Sequence, residues 1–207
     1  MADLIFAHLY GILDLGYVTP EDMPDVARQM IDGGVEIVQL RAKGLPAGEF
    51  ADLARKLAPI FTTAGVPFVL NDHPELVASA GATGAHVGQD DMTVAVAREL
   101  AGTKGIIGKS THSLEQATAA QDAGADYIGY GPLFPTPTKP EYTAVGLSEI
   151  RRIHEAVKIP IYCIGGIKLE NLRQVLDAGA KRVVIVSGLL QAPDLVTYAR
   201  EVRKLLS

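Results

Sequence analysis

Glycine stands directly before a short apolar run at many points along this chain, and this repeated pattern limits the folds available to it. It occurs in DGGVEIVQL, AGVPFVLND, AGATGAHVG, DAGADYIGYG and DAGAKRVVIV. Glycine commonly follows the end of a helix, and a short apolar run is typical of a buried strand. Between these runs, AGEFADLARKLAPIF and LENLRQVLDAG have apolar residues at helical spacing. The chain is therefore predicted to alternate strands with helices.

The number of these units indicates the architecture. The strand segments are HLYGILD, EIVQL, PFVL, GAHVG, GIIGKS, YIGYG, PIYCIGG and RVVIVS. Each is followed by a helical pattern, at roughly 25 residues per unit, which favours a compact α/β fold, the (β/α)8 TIM barrel. An open six-stranded sheet would leave two of the strands unplaced. We expect residues 1–207 to form this single catalytic domain, with its chemistry at the carboxyl ends of the strands.

Charge and composition exclude several kinds of partner. The 207 residues carry a net charge of −5 and are 48% apolar, which suits a large core but not the coating of nucleic acid or anionic lipid. No run approaches the roughly 18 apolar residues of a membrane span, and the first charge is Asp3, unlike a secretory signal. The single cysteine, Cys163, is predicted to lie in the core. We expect a soluble cytoplasmic protein with no nucleic-acid or membrane partner, and a homo-oligomer is left open.

The second strand segment ends in polar and cationic residues. Because side chains alternate between the faces of a strand, Val35, Ile37, Gln39, Arg41 and Lys43 are predicted to share one face. That face begins apolar and becomes cationic. This is expected of a barrel interior that is packed below and binds an anion at its mouth. A solvent-exposed strand end is the alternative.

Acidic residues follow the next two strand segments, in LNDHPE and VGQDDM. One interpretation makes Asp72 and Asp91 the N-caps of the helices that follow. In the other, they face each other across the mouth, because their strands are neighbours. Mg²⁺ is typically held by one or two carboxylates plus phosphate oxygens, so two carboxylates beside Arg41 and Lys43 favour one Mg²⁺ ion bridged to a polyphosphate.

The fifth strand segment ends in GKSTHS. Ser110 lies at its tip, where its hydroxyl is suited to donate to the same phosphate, whereas Ser113 is expected to cap the next helix. His86 and His112 lack a third ligand at zinc-like spacing, and no zinc site is predicted. His86 lies within a strand and is interpreted as a structural histidine.

The last three strands are followed by loops suited to binding. GPLFPTPTKP opens a loop over 132–146, which is long for such a connection and typical of a functional segment, with a proline-stiffened lid as the alternative. Gly165, Gly166, Ser187 and Gly188 match a frequent phosphate site of barrels, made of backbone N–H groups and a helix N-terminus. The mouth is thus predicted to hold a diphosphate and a monophosphate. The simplest chemistry that uses both is the joining of two phosphorylated substrates with loss of pyrophosphate.

Taken together, these motifs resemble the thiamine phosphate synthase family over nearly the whole chain. QLRAK, ND, GQDD, STHS, GPLFPTPTKP, GGI and VS occur in the family's order and spacing. The resemblance implies a transferase that joins a hydroxymethylpyrimidine diphosphate to a thiazole phosphate, or its carboxylated form, by a dissociative, Mg²⁺-assisted substitution. The implied pyrimidine-diphosphate site comprises Gln39, Leu40, Arg41, Ala42, Lys43, Asn71, Ser110 and Lys139, with Arg41, Lys43, Ser110 and Lys139 as catalytic members. The implied thiazole-phosphate site comprises Thr136, Pro137, Thr138, Gly166, Val186 and Ser187, and the implied Mg²⁺ ligands are Asp72 and Asp91.

The chemistry that the resemblance implies needs no general base. The thiazole nitrogen attacks with its lone pair and has no proton to lose, so the charge on the departing pyrophosphate is what must be stabilised. Two positions depart from the family pattern. They are Lys109, where an apolar residue is more common, and Gly11 within the first strand. Neither is an implied site residue.

Two other functions remain open at this point. A phosphosugar-type isomerase on the same barrel needs an acid/base pair, for which Asp14 at the end of the first strand is the best candidate. The other is a thiazole-phosphate-binding relative, either an aromatising isomerase or an inactive sensor. Such a protein does not need the half of the site that binds the diphosphate. The synthase is favoured by the residues of that half: Arg41, Lys43, Asn71, Asp72, Asp91 and Lys139.

Overall fold

The eight predicted strands form a closed parallel barrel. The computed structural model of the chain describes residue 4 and residues 7–136 and 143–207. The strands pair in sequence order and the last pairs with the first, which confirms the predicted (β/α)8 fold. They are β1 (Leu9–Asp14), β2 (Ile37–Arg41), β3 (Phe68–Asn71), β4 (Gly84–Val87), β5 (Ile106–Thr111), β6 (Tyr127–Tyr130), β7 (Ile161–Cys163) and β8 (Val183–Ile185).

Helices separate the strands and cover the outside of the barrel. They are α1 (Met23–Asp32), α2 (Ala47–Ala64), α3 (Val77–Ala80), α4 (Val94–Ala101), α5 (Leu114–Asp122), α6 (Ile150–Ala156), α7 (Leu169–Asp177), α8 (Ser187–Leu190) and α9 (Leu195–Leu206). Gly65 and Gly81 follow α2 and α3 in the left-handed conformation, as the glycine pattern predicts. Within the described part of the chain, every helix is too short or too polar to cross a membrane.

Buried apolar side chains form two separate cores. The outer core lies between the strands and the helices, and the inner core fills the barrel with residues that include Tyr10, Tyr127 and Tyr162. Cys163 is fully buried in the outer core, where burial raises the pKa of its thiol to about 12, and its prediction as a core residue is confirmed. Val35 also lies in the outer core. Its predicted place on the inner face of β2 is wrong, because β2 begins only at Ile37 and the alternation does not reach back to Val35.

Candidate active site

A cleft of about 930 Å³, including its open mouth, lies at the carboxyl ends of the strands. Residues of both predicted substrate halves line it together: Gln39, Arg41, Asn71, Ser110, Thr136, Gly166, Val186 and Ser187. The fold therefore brings together side chains that are far apart in the sequence, from Gln39 to Ser187.

Arg41 is fixed in the cleft wall by Asp14. Its Nη1 donates to Asp14 Oδ2 at 2.8 Å, and Asp14 Oδ1 accepts from the N–H of Gly16 at 2.8 Å. The side chain of Asp14 is only 3% exposed. Asp14 is thus engaged in positioning Arg41, rather than placed as the acid/base group that the isomerase alternative requires.

The guanidinium of Arg41 retains unused hydrogen-bonding capacity. Among the described residues, its Nε is buried and has no hydrogen-bond partner. A buried donor without a partner costs about 1–3 kcal/mol, which a bound anion would offset. A planar guanidinium also matches the geometry of phosphate oxygens. Arg41 therefore has the features of an anion-binding residue.

Lys43 and Asp72 form an ion pair next to Asn71, which lines the cleft. Lys43 Nζ lies 2.5 Å from Asp72 Oδ2, which also accepts from Asn71 Nδ2 at 2.6 Å. Burial tends to raise the pKa of Asp72, but the hydrogen bonds that it accepts from Lys43 and Asn71 help to bring that pKa below its usual value. Asp72 also has a φ of 61°, in the left-handed region that non-glycine residues seldom adopt. Its carboxylate is therefore ionised at neutral pH and held beside Lys43.

Asp91 lies close enough to Asp72 for the two side chains to interact. Asp91 Oδ2 accepts from the N–H of Gly88 at 2.7 Å. The N-cap of α4 is instead Thr93, whose hydroxyl accepts from Val96, and His73 occupies the N-cap position of the turn Pro74–Leu76. The N-cap interpretation of the two aspartates is therefore wrong. Two adjacent carboxylates at strand ends fit the usual protein contribution to an Mg²⁺ site.

A chain of hydrogen bonds beneath the cleft links Ser110 to Gln39. Ser110 Oγ lies 3.0 Å from His86 Nε2, and His86 Nδ1 lies 3.1 Å from the hydroxyl of Tyr127. The hydroxyls of Tyr127 and Tyr10 are 3.0 Å apart, and that of Tyr10 accepts from Gln39 Nε2 at 2.8 Å. Burial raises the pKa of both tyrosines, so both remain protonated. The network fixes two of the predicted substrate-binding side chains from below.

Gly108 on β5 leaves the space that this network occupies. A Cβ at this position would lie 2.1 Å from Tyr127 Cζ and 2.5 Å from His86 Nδ1. Both distances are far below van der Waals contact, so the two rings require glycine here.

The segment after β6 packs against the end of β7. The N–H of Leu133 donates to Ile164 O at 2.8 Å, and that of Phe134 donates to Gly165 O at 3.1 Å. Gly165 has a φ of 96°, and a Cβ there would lie 2.4 Å from Pro132 Cα. This packing places Thr136 in the same cleft as Gly166, Val186 and Ser187. Pro137, Thr138 and Lys139 lie outside the described residues, so their roles stay predictions.

Five of the implied residues that the structure describes lie outside the cleft lining: Leu40, Ala42, Lys43, Asp72 and Asp91. The side chains of Leu40 and Ala42 belong to the outer core, so only their backbone groups are suited to contact a substrate. The side chain of Lys43 is 56% exposed, so it has the freedom to turn toward a ligand. Ser113 caps α5 by accepting from the N–H of Gln116, as predicted.

Several contacts of the site are not evident from the motifs. His86 is satisfied by hydrogen bonds, as a structural histidine should be, but it also contacts Ser110 and lines the cleft. The alternation that places Gln39 inward would also place His86 and Tyr127 inward, so the signal is present in the sequence. Gln89 is less accessible to such reasoning, because its side chain reaches across to the backbone carbonyl of Ser110 from a loop.

Comparison with known proteins shows the family of this chain. The family model described as thiamine monophosphate synthase matches residues 9–189. The chain belongs to the thiamine-phosphate synthase family. It is 45% identical to the thiamine-phosphate synthase of Thermus thermophilus over 183 residues, which cover 88% of each chain. It is 39% identical to that of Chloroflexus aurantiacus over 208 residues, which cover 100% of this chain and 96% of the other.

A solved structure of the same family shares the fold. The thiamine phosphate pyrophosphorylase from Pyrococcus furiosus superposes with a TM-score of 0.87 at 33% identity. The likeness covers 97% of this chain and 95% of that one. The thiamine-phosphate synthase resemblance predicted from the motifs is thus confirmed over nearly the full length.

Proposed function

We propose that this chain carries out the synthesis of thiamine phosphate from a hydroxymethylpyrimidine diphosphate and a thiazole phosphate, or the carboxylated thiazole, with release of pyrophosphate. The observation that carries the proposal is the placement of the Arg41 guanidinium in the cleft. Its guanidinium lines the cleft, is fixed by Asp14, and has a buried Nε without a partner among the described residues. Asn71 and Ser110 line the same cleft. Together they form a set of donors suited to a departing diphosphate.

The chain's own donors are held in place before the reaction starts. Asp14 fixes Arg41, His86 contacts Ser110, and Tyr10 accepts from the amide of Gln39. Donors that are already oriented toward developing negative charge stabilise a transition state without reorganisation. As the carbon–oxygen bond breaks, we infer that Arg41, Lys43 and Ser110 stabilise the charge on the pyrophosphate, with Lys139 as a further predicted donor.

Asp72 and Asp91 are the residues proposed to hold one Mg²⁺ ion. When bound, the ion would neutralise part of the diphosphate charge. Lys43 pairs with Asp72 in the protein alone and is largely exposed. We infer that the exposed Lys43 side chain would contact the diphosphate when that substrate is bound.

Aromatic rings line the floor of the cleft. The Tyr10 and Tyr162 ring centroids are 5.4 Å apart and those of Tyr127 and Tyr162 are 5.5 Å apart, both in edge-on arrangements. We infer that these closely packed rings limit the access of water to the pyrimidine carbon that becomes positive. Attack by the thiazole nitrogen is thereby favoured over hydrolysis, and no general base is required.

The thiazole phosphate is proposed to bind on the other side of the cleft. Thr136, Gly166, Val186 and Ser187 line that side, and Pro137 and Thr138 are its further predicted members. Two small phosphorylated substrates thus account for both halves. The cytoplasmic location and any assembly into a homo-oligomer stay predictions.

The direct test combines the purified protein with both substrates and measures thiamine phosphate and pyrophosphate, with Mg²⁺ and with a chelator. We expect both products, in equal amounts, only when Mg²⁺ is present. Arg41→Met should abolish most turnover, whereas Ser113→Ala, which removes only a helix cap, should retain it. Absence of thiamine phosphate would contradict the proposed reaction, and turnover in the chelator would contradict the metal requirement.

A further inference from the structure

Lys109 is a buried cation beside the loop that carries Asp91. It lies on β5, on the strand face opposite to that of Ser110, and is only 8% exposed. Its Nζ donates to the carbonyl of Gly88 at 2.5 Å and to that of Met92 at 3.0 Å. These carbonyls stand at either end of the segment that contains Asp91. The ammonium group therefore bridges the two ends of the loop.

The same ammonium group interacts with the acidic residues around it. Burial lowers the pKa of Lys109, while Asp91, Asp90 and Asp72, in decreasing order, favour its charged form. Gly88 links Lys109 to Asp91 through its backbone, because its carbonyl accepts from Lys109 and its N–H donates to Asp91. Lys109 and Asp91 are thus held by the same backbone residue.

We propose that Lys109 is a positioning residue that supplies a fixed internal positive charge, holding Asp91 against Asp72 in the protein without a bound cation. The inference rests on the proposed Mg²⁺ site at these two aspartates. Two carboxylates in contact repel each other, and a nearby buried cation offsets that repulsion. The same positive charge also repels an incoming divalent ion. A divalent cation should consequently bind weakly to the free protein and strongly only together with a diphosphate.

The test uses the whole protein without substrates, so that it does not depend on turnover. Lys109→Met keeps the length of the side chain and removes the charge, and Lys109→Gln keeps a donor for one carbonyl but not the charge. Lys104→Met removes an exposed lysine just before β5 and controls for the loss of one positive charge. Thermal unfolding is measured with and without Mg²⁺, and Mn²⁺ binding is measured by electron paramagnetic resonance.

Both Lys109 variants should melt at a lower temperature than the native protein when no divalent cation is present. Mg²⁺ should then raise their melting temperature by about 2–4 °C more than it raises that of the native protein or Lys104→Met. Their affinity for Mn²⁺ should be roughly tenfold higher, because a repelling charge has been removed. A purely structural role would lower the melting temperature equally with and without Mg²⁺, and that result would overturn the proposal. Weaker Mn²⁺ binding in Lys109→Met, or native behaviour of Lys109→Gln, would overturn it as well.

A second measurement separates this inference from the metal site on which it rests. Mn²⁺ binding to the native protein is repeated in the presence of inorganic pyrophosphate. If Mn²⁺ binds with pyrophosphate but the Lys109 variants show no change in cation dependence, only the role of Lys109 is wrong. If Mn²⁺ fails to bind even with pyrophosphate, the proposed metal site and the role of Lys109 are both wrong.

Discussion

The hydroxyl of Ser110 lies 3.0 Å from Nε2 of His86, and the other nitrogen of that ring lies 3.1 Å from the hydroxyl of Tyr127. His86 therefore connects a predicted diphosphate-binding hydroxyl to the buried tyrosines at the centre of the barrel. A side chain on β4 thus fixes the orientation of one on β5.

Replacing His86 by leucine removes both ring nitrogens and tests this connection. Ser110 then loses its partner, and we expect kcat/KM to fall roughly 10–100-fold, with a loss of stability of about 1–3 kcal/mol from the broken buried hydrogen bonds. Steady-state kinetics and urea unfolding measure the two effects. His86→Gln retains a polar group at the end of the side chain and should recover part of the activity. Native kcat/KM in His86→Leu would show that Ser110 needs no support.

Asp14→Asn tests whether Arg41 depends on its buried partner. The change keeps the shape of the side chain but removes the charge opposite a guanidinium that is 16% exposed. We expect a loss of about 3 kcal/mol in the free energy of unfolding and a higher KM for the pyrimidine diphosphate. Asp25→Asn is the matched control, because its ion pair with Arg28 is exposed and should contribute less than about 1 kcal/mol. Equal effects of the two substitutions would contradict the positioning role of Asp14.

The strands and the inward-facing residues of β2 could be predicted because their signals are local. Glycine before an apolar run gives a helix end and a strand start, and alternation along β2 places Gln39 and Arg41 toward the cleft. Alternation fails for Val35 because the start of β2 depends on its pairing with β1.

Contacts between distant strands could not be predicted in the same way. Tyr10 and Tyr127 meet because the barrel closes and sets the register of all its strands, which no short motif records. The helix-cap interpretation of Asp91 was wrong because Thr93, two residues further on, also fits the N-cap pattern and is the residue that caps α4. A local pattern does not decide between two such candidates.

Gly165→Ala should separate the thiazole side of the cleft from the rest of the fold. Gly165 has a φ of 96°, and an added Cβ would meet Pro132, whereas Gly44 has a φ of 85° and open space around it. Gly44→Ala should cost about 1 kcal/mol of backbone strain, and Gly165→Ala should cost about 1–3 kcal/mol more because the packed segment must move. Calorimetric titration should show weaker thiazole-phosphate binding in Gly165→Ala alone. Unchanged binding would mean that this packing does not shape the site.

The lowered pKa of His154 leads us to expect a loss of stability in mild acid. Burial, followed by the charges of Lys181 and Arg182, lowers the pKa of His154 from 6.5 to about 4. The unfolded chain therefore takes up this proton at a higher pH than the folded protein does. The stabilising contribution is complete above pH 6.5 and is lost as the pH falls toward 4. With allowance for its partial exposure, the loss should be about 1–2 kcal/mol. Urea unfolding at several pH values should show a smaller decrease in His154→Gln, and an equal decrease would assign the effect to other groups.

Lys139→Ala tests the proposed stabilisation of the leaving group by a residue outside the described part of the chain. If the lysine stabilises the departing diphosphate, its loss removes one oriented donor, and turnover should fall by roughly 100-fold or more. Binding of the thiazole phosphate, measured by calorimetric titration, should persist because that ligand is assigned to the other side of the cleft. Lys56→Ala removes an exposed lysine on α2 and should leave turnover unchanged. Near-native turnover in Lys139→Ala would refute its role, whereas loss of thiazole-phosphate binding would place Lys139 on the thiazole side instead.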